Sequence, residues 1–314
     1  MKHDEGTIAI EWYGIDAGMI HVMTVHWMTD KWVPVQLRYL DRFANGPYRV
    51  YASLNGIDDP EVRRRFYYSA DVEGMHWEKL NALTATVLAE AEPNDILVYL
   101  DGDAFPVQSL QPWLDETLDV HPLVAIQRAE NCNDTRPHPS FCATTARFWK
   151  ELGCTWAPVE WVTSSGTKFE DAGGRLAQLL EANHVQWLPL ARSNTVELHP
   201  LWFAIYGHRL YHHGAGFRPK RTSKLDQTNR QAAYGVTWAD ASLGQLSMKI
   251  RHEPSVLLKV RPRHFRKFVQ GTRRTLFNRL SGRYESRAST QADEVFGRLS
   301  SDDGFYRELD SSIP

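Results

Sequence analysis

Cysteine is scarce in this chain, and the three that occur, Cys132, Cys142 and Cys154, show no two-residue spacing of the kind found in zinc or redox motifs. An odd number of cysteines without that spacing argues against a disulfide framework and is typical of a reducing compartment. Apolar runs near the ~18 residues of a membrane span are missing, and residues 1–18 show no export signal. These absences predict a cytoplasmic protein.

A charge excess of either sign is missing as well. Lys and Arg number 36 against 38 Asp and Glu, which leaves a net charge of −2. No overall field therefore draws the protein to nucleic acid, and none is expected as a partner. Apolar residues make up 42% and charged residues 24% of the 314 residues, which is the range of folded globular proteins and excludes a disordered chain.

The pattern of apolar segments predicts an α/β fold. Residues 21–27, 48–54 and 95–100 are rich in apolar and β-branched side chains and are predicted strands, while helical spacing predicts helices within 31–43 and 73–92. Strands that alternate with helices indicate an open, mostly parallel sheet flanked by helices. Further predicted elements are strands at 123–127, 141–143 and 185–190, a helix at 145–152 and an aromatic strand at 201–211.

The composition changes near residue 252. Residues 255–283 contain nine Lys or Arg and no acid, whereas residues 284–314 contain seven acids and three Arg. We therefore predict a main domain at 1–252, a basic helical extension at 253–283 and a loosely ordered acidic tail at 284–314.

The basic extension carries an apolar stripe at helical spacing. Such a helix suits an anionic membrane surface, which would place the protein peripherally on the inner face of the membrane. A helix that packs the stripe on the main domain fits the pattern equally well, while RNA binding is disfavoured by the net charge of the chain. The stripe consists of Phe265, Phe268, Val269, Thr272, Leu276 and Leu280.

Two carboxylates directly follow the predicted central strand, in the sequence Asp101-Gly102-Asp103. Ligands of open α/β sheets bind at the carboxyl ends of such strands. Carboxylate oxygens hold Mg²⁺ or Mn²⁺ and leave coordination positions for phosphate oxygens. An Asp-Gly turn that accepts backbone hydrogen bonds is the alternative, but the position after a buried strand favours a metal site.

Histidines, glycines and basic residues meet in residues 211–221 (YHHGAGFRPKR). Imidazole can complete a Mn²⁺ shell, and glycines and basic side chains can bind a diphosphate. Neighbouring side chains of a strand point to opposite faces, so only one of His212 and His213 reaches the metal. We predict His213 and keep His212 as the second candidate. The predicted phosphate contacts are Gly214, Gly216, Arg218 and Lys220.

A third group of candidates is the sequence TKFED at residues 167–171, which we predict to open a helix. Thr167 and Glu170 fit a capping box, which explains Glu170 structurally. Asp171 is not needed for the cap and is a predicted general base for a hydroxyl nucleophile, with Glu170 as its catalytic neighbour. A surface aspartate favoured by the helix dipole is the alternative.

In this order the motifs resemble the GT-A class of nucleotide-sugar-dependent glycosyltransferases. The resemblance spans residues 20 to 220 and rests on a DxD motif at Asp101 and Asp103, an xED motif that ends at Asp171, and the late His213. It implies the GT-A fold, Mn²⁺ or Mg²⁺ held by the DxD aspartates and the histidine, and a nucleotide-diphosphate sugar as donor. It further implies transfer to a hydroxyl of a glycan or lipid-linked acceptor, with Asp171 as the base of an inverting reaction.

The resemblance also implies where the substrates bind. The nucleotide is expected over the ends of the first two strands, and the acceptor near residues 133–140, with Trp156 and Trp161 stacking on a sugar. The expected donor contacts are Val25, His26, Asn55, His76, Lys79, Asn81, Asp101 and Gly102.

Three other functions remain open at this stage. The loop at 211–221 is similar to the HxxGxxKP signature of retaining GT-A enzymes. It departs from the signature in two ways: Pro219 comes one residue early, and Arg218 stands before it in place of Lys. Haloacid-dehalogenase-like phosphatases also place DxD after an apolar strand, but expect Thr or Val where this chain has Phe105. A noncatalytic nucleotide-sugar-binding module would keep the pocket without turnover.

Overall fold

A computed structural model describes residues 18–131, 133–162, 168–199, 201–214 and 289–314. The predicted basic extension at 253–283 lies outside these residues, so its helix and its membrane contact stay predictions. Across the described part of the chain, no helix is long and apolar enough to cross a membrane.

Strands and helices alternate along the chain as the apolar pattern predicts. The first elements are β1 (Ile20–Trp27), α1 (Val33–Phe43), β2 (Tyr48–Asn55), α2 (Pro60–Arg63), β3 (Tyr68–Ala70), α3 (His76–Leu88) and β4 (Ile96–Asp101). Those that follow are β5 (Ala104–Pro106), α4 (Gln111–Leu118), β6 (Leu123–Gln127), β7 (Pro137–Thr145), α5 (Ala146–Leu152), β8 (Val159–Val162), β9 (Lys168–Asp171), α6 (Gly174–Ala182), β10 (Leu188–Leu190), β11 (Ala204–Tyr206) and β12 (Leu210–His212).

The main sheet has seven strands among the described residues, in the order β10-β6-β7-β4-β1-β2-β3. Only β7 runs antiparallel to its neighbours. Side chains of β1 alternate between two buried clusters, with Ile20 and Val22 on one face and Met23 and Val25 on the other. Because both faces are covered, the central strands are continuously apolar, and the predicted open, mostly parallel α/β sheet is confirmed.

A small antiparallel sheet lies at the carboxyl end of β4. It consists of β11, β12 and β5, with β12 in the middle. The single strand predicted over 201–211 is wrong, because Gly207 and His208 both adopt positive φ angles, of 55° and 58°, and turn the chain back into a hairpin. The hairpin brings residues 210–212 beside β5, directly after the two aspartates.

The acidic C-terminal segment, residues 289–314, packs against the main domain. Residues 289–301 are helical, and a short helix follows at Tyr306–Leu309. The loose order predicted for 284–314 does not describe these residues, because apolar side chains between the acids recur at helical spacing and are buried. The buried apolar residues of the segment are Val295, Leu299, Phe305, Tyr306, Leu309 and Ile313.

The C-terminal segment, residues 289–314, packs against α1. Trp32, Tyr39 and Phe105 share one apolar cluster with the C-terminal side chains. The guanidinium of Arg38 donates to the carbonyls of Leu299 at 2.6 Å and Ser300 at 3.0 Å, which are otherwise unpaired at the end of a helix. The boundaries of the three regions proposed from composition stay a prediction.

Replacing Val295 by Ala tests whether the C-terminal segment is part of the folded core. Val295 is 3% exposed, so the change should lower the free energy of unfolding by about 2 kcal/mol through lost burial and a residual cavity. Urea denaturation followed by circular dichroism measures it. The matched control is Val120→Ala, since Val120 is 73% exposed and its truncation should cost less than about 0.5 kcal/mol. Equal effects of the two changes would show that the segment does not dock.

Candidate functional site

The two aspartates and a histidine meet where β4 ends. Asp101 is the last residue of β4, and Gly102 and Asp103 lead into β5, which pairs with β12 so that Ala104 lies opposite His212. The Nε2 atom of His212 lies 3.4 Å from Oδ2 of Asp101 and 3.6 Å from Oδ1 of Asp103. One ligand atom from each of the three residues lies within 4.8 Å of the others. The backbone pairing of two distant segments therefore builds a compact group of metal-binding atoms.

The structure places His212, rather than the predicted His213, beside the aspartates. Only one of the two reaches them, as side-chain alternation in a strand requires. The ring of His213 packs on Trp32 and Phe203, with centroid separations of 4.5 and 4.8 Å, and its Nδ1 lies 2.9 Å from Oη of Tyr211. Burial, aided by the charge of Lys31, holds the pKa of His213 well below its ordinary value. This neutral histidine belongs to the core.

His76, the first residue of α3, completes the surroundings of Asp101. Its Nε2 lies 3.2 Å from Oδ1 of Asp101. Burial would raise the pKa of Asp101, but the hydrogen bonds and charges of His212 and His76 outweigh it and hold that pKa well below its usual value. Loss of water contact would lower the pKa of His76, yet the hydrogen bond to Asp101 and the charges of Asp101 and Asp171 raise it. Asp101 is therefore a carboxylate at neutral pH.

The donor set of the three residues fits a divalent cation. Asp103 and His212 are each 4% exposed, and the Asp101 side chain is 20% exposed. The two carboxylates therefore lie close together in a largely buried place. A cation between them would offset their mutual repulsion. Carboxylate oxygens suit Mg²⁺ and Mn²⁺, and an imidazole in the set favours a transition ion such as Mn²⁺.

Asp171 ends a strand instead of opening a helix. Residues 168–171 form β9, which pairs antiparallel with β8, and α6 begins only at Gly174. The predicted helix start at 167 is therefore wrong, and Thr167 itself lies outside the described residues. Gly173 lies between β9 and α6 and has a φ of 89°, a left-handed conformation that is available mainly to glycine. It changes the direction of the backbone between the two elements. Glu170 and Asp171 are both exposed.

Contacts with Arg136 and with Pro137, the first residue of β7, hold the backbone at Asp171. The guanidinium of Arg136 donates to the carbonyl of Asp171 at 3.3 Å and is fixed by two bonds to Asp134, at 2.9 and 2.7 Å. A Cβ atom on Gly173 would lie 2.5 Å from the carbonyl oxygen of Pro137, so only glycine allows this approach. The carboxylate of Asp171 accepts from the backbone N–H of Ala172 at 2.8 Å, and the residue is exposed.

The predicted donor contacts divide into two groups. Asn55 ends β2, and its Oδ1 accepts from the buried ammonium of Lys79 and from the Ser53 hydroxyl at 2.8 Å. Burial lowers the pKa of Lys79, opposed by the charges of Glu73 and Asp71. Asn55 and Lys79 thus lie together at the carboxyl edge of the sheet.

The second group is engaged in the interior. Val25 is 8% exposed and lies in register with Asp101. His26 is fully buried, with its Nε2 3.0 Å from Oε1 of Gln36, and burial, against that bond, lowers its pKa to about 4. Asn81 accepts from the Trp156 backbone N–H and donates to the Thr155 hydroxyl, each at 3.0 Å.

Several predicted contacts change or fall outside the structure. Trp156 is fully buried against Tyr99 and Trp149, so it packs in the core and does not present a face to a sugar. Gly214 is described and has a φ of 75°. The predicted phosphate contacts Gly216, Arg218 and Lys220 lie outside the described residues.

Two further residues lie near the site: His138, which belongs to the segment 133–140 predicted to lie near the acceptor, and Gln36, which sequence reasoning missed. The ring of His138, on β7, has its centroid 6.2 Å from that of His212. Burial and the charge of Arg128 hold the pKa of His138 well below its ordinary value. Gln36 contacts the backbone of the aspartate turn. Its signal was visible, because it is a polar residue within the apolar stripe of α1 that includes Val33 and Leu40.

Comparisons with known proteins give structural resemblances only. No protein-family model and no curated protein sequence matches the chain. The chain resembles the galactosyltransferase LgtC in complex with donor and acceptor sugar analogues, with 13% identity and a TM-score of 0.31 over 42% of this chain and 59% of that one. It also resembles residues 1–349 of TarS from S. aureus, with 10% identity and a TM-score of 0.36 over 92% and 91% of the two chains. A longer TarS structure matches at 11% identity and a TM-score of 0.41 over 94% of this chain and 55% of that one.

The chain therefore spans about three fifths of the length of LgtC and about half of the longer TarS chain.

Replacing His76 by Gln tests the charge pairing at Asp101. Because the pKa of His76 is raised from its ordinary value of 6.5, the stability that it contributes is fully present below about pH 6.5 and is lost as pH rises through the folded-state pKa. His76→Gln should therefore lower the free energy of unfolding more at about pH 5.5 than at about pH 8.5. Urea denaturation in a metal-free buffer with a chelator measures both values.

A double-mutant cycle with Asp101→Asn is the control for this prediction. Without the carboxylate at position 101, the effect of His76→Gln should depend much less on pH. The same destabilisation at both pH values in the wild-type background would contradict the pairing.

Proposed function

We propose that the protein is a metal-dependent glycosyltransferase that moves a sugar from a nucleotide-diphosphate sugar to a hydroxyl of a glycan or lipid-linked acceptor. The observation that carries this proposal is the convergence of Asp101, Asp103 and His212 at the carboxyl end of β4. In open parallel sheets, this edge is where ligands bind. The order of the DxD and xED motifs along the chain supports the same conclusion.

Asp101, Asp103 and His212 would hold the cation, Mn²⁺ or Mg²⁺. A bound divalent cation supplies positive charge that stabilises a departing diphosphate. Neighbouring residues already hold one of these ligands, Asp101, in position. His76 and His212 pair with different oxygens of Asp101, which orients the carboxylate and keeps it ionised.

Asp171 is the proposed base. Its exposed carboxylate can accept the proton of an acceptor hydroxyl, while the attacking oxygen bonds to the anomeric carbon and the bond to the diphosphate breaks. The negative charge of Asp171 helps to raise the pKa of His76, the partner of Asp101. Attack on the face opposite the leaving group inverts the anomeric centre. Glu170, its neighbour in β9, is the second carboxylate of the motif.

Asn55 and Lys79 are the proposed contacts to the nucleotide. Asn55 ends β2, and Lys79 reaches it from α3. Strand β2 is next to β1, whose Val25 is in register with Asp101. A lysine held by an amide oxygen presents its remaining donors to ribose or phosphate oxygens. Contact of residues 255–283 with an anionic membrane, where lipid-linked acceptors reside, is part of this proposal.

A phosphatase with Asp101 as nucleophile is the weaker alternative. That class expects Thr or Val two residues after the second aspartate of the motif. This chain has Phe105 there, fully buried between Tyr39 and Tyr211. Phe105 therefore disfavours the alternative.

Asp103→Ala tests the function with a panel of UDP-, GDP- and CMP-sugars in the presence of Mn²⁺. We expect the wild-type protein to transfer or hydrolyse at least one donor, and the variant to lose about a hundredfold or more of that rate through lost stabilisation of the leaving group. Release of the nucleotide product measures the rate. The control is Asp119→Ala, which removes an exposed carboxylate at the end of α4 and should leave the rate unchanged.

A rate for Asp103→Ala near that of the wild type would refute the metal-dependent mechanism. Donor binding by the wild-type protein without any turnover would assign the chain to noncatalytic binding modules.

Asp171→Asn separates the base from the metal group. The variant should bind the donor within about twofold of the wild type, because the cation group is intact, and should lose transfer by about a hundredfold or more. Calorimetric titration with the donor and a transfer assay measure the two effects. Glu181→Gln, an exposed change on α6, is the control. Weakened donor binding with normal turnover would give Asp171 a different role.

A further inference from the structure

Gln36 is a polar side chain in the first turn of α1 that is fully buried beneath the aspartate turn. Its Nε2 donates to the carbonyl oxygens of Asp101 and Ala104, both at 2.8 Å. These carbonyls lie on either side of Gly102 and Asp103. One amide group therefore holds both ends of the turn that carries the two carboxylates.

The other end of the Gln36 amide is held by β1. Its Oε1 accepts from the Thr24 hydroxyl at 3.2 Å and lies 3.0 Å from Nε2 of His26. Backbone carbonyls only accept, so the NH₂ group must face the turn and Oε1 must face β1. His26 consequently donates from Nε2. The orientation of the amide is fixed by its four partners.

The residue that follows β12 also forms a hydrogen bond to this turn. The backbone N–H of His213 donates to the carbonyl of Asp103 at 3.0 Å. Glycine at position 102 leaves this short connection conformationally permissive unless something outside it restricts it. Gln36 and β12 together supply that restriction for the carbonyls of Asp101, Asp103 and Ala104.

We propose that Gln36 is a positioning residue that sets the separation of the Asp101 and Asp103 carboxylates and thereby the affinity of the site for a divalent cation. This inference rests on the proposed function, in that the turn must bind a metal. A site whose ligands are held in place before binding loses less conformational freedom on binding and so binds more tightly. Partners of this kind typically contribute ten- to a hundredfold in metal affinity.

The test compares Gln36→Met with the control Thr24→Val in the full chain. Methionine has similar length but no donor, so both carbonyls of the turn lose their partner. Valine removes only the Thr24 hydroxyl bond, on the far side of the amide, and leaves both donors of Gln36 in place. The probe is Mn²⁺ alone, titrated by electron paramagnetic resonance of the free ion, with folding verified by circular dichroism.

We expect Mn²⁺ to bind Gln36→Met about tenfold or more weakly than the wild type and Thr24→Val within about twofold. Gln36→Met removes all four hydrogen bonds of the amide and Thr24→Val removes one, so Gln36→Met should also lower stability more. Mn²⁺ affinity is therefore compared under conditions where circular dichroism shows both variants fully folded. Asp103→Ala, which removes a proposed ligand, should lose Mn²⁺ binding entirely. If Gln36→Met fails to fold, Gln36→Asn, whose shorter amide cannot span both carbonyls, is judged by the same criteria.

The outcomes distinguish this inference from the proposed function. Folded Gln36 variants that bind Mn²⁺ like the wild type, while Asp103→Ala does not, would overturn the role of Gln36 and leave the metal site intact. Equal weakening by Gln36→Met and Thr24→Val would also overturn it, since the effect would be general loosening. A wild-type protein that binds no Mn²⁺ would overturn both proposals.

Discussion

The antiparallel pairing of β5 with β12 is the interaction on which the candidate site depends. It joins residues 104–106 to residues 210–212 and places His212 beside the aspartates that precede β5. Aromatic packing supports it, since the ring of Phe105 stacks between Tyr39 and Tyr211 with centroid separations of 4.2 and 4.9 Å. Without this pairing, the carboxylates would remain at the end of β4, but nothing would hold the imidazole of His212 beside them.

Residues from the end of the chain stabilise this pairing from behind. Val295, Leu299 and Tyr306 are buried in the apolar cluster that contains Phe105 and Tyr211. A polar contact links the C-terminal segment to the turn between β11 and β12, because Nδ1 of His208 lies 2.7 Å from Oδ2 of Asp310 and the Ser193 hydroxyl donates to the same oxygen at 2.9 Å. The site at the front of the small sheet thus depends on packing at its back.

The buried charges of the site are balanced by neutral or cationic donors from separate elements. Asp101 receives His76 from α3 and His212 from β12, and its backbone carbonyl accepts from Gln36 of α1. Burying a carboxylate without such partners is unfavourable. The hydrogen bonds to Asp101 therefore help to hold α1, α3 and β12 together around it. The same contacts that make the charge tolerable also fix its direction, which is what the binding of a cation requires.

Local pattern alone determined much of this protein. The apolar runs of β1, β2 and β4 and the adjacent carboxylates Asp101 and Asp103 were readable because strand burial and the place after a strand are properties of neighbouring residues. The partner of those carboxylates was not. A shift of β12 by one residue would put His213 in the place of His212 beside the aspartates. Only the pairing of β12 with β5, more than a hundred residues away in sequence, determines which of the two histidines faces them. The fate of Asp171 and the role of Gln36 were likewise set by tertiary contacts, because hydrogen bonds between distant segments leave no periodic trace in the sequence.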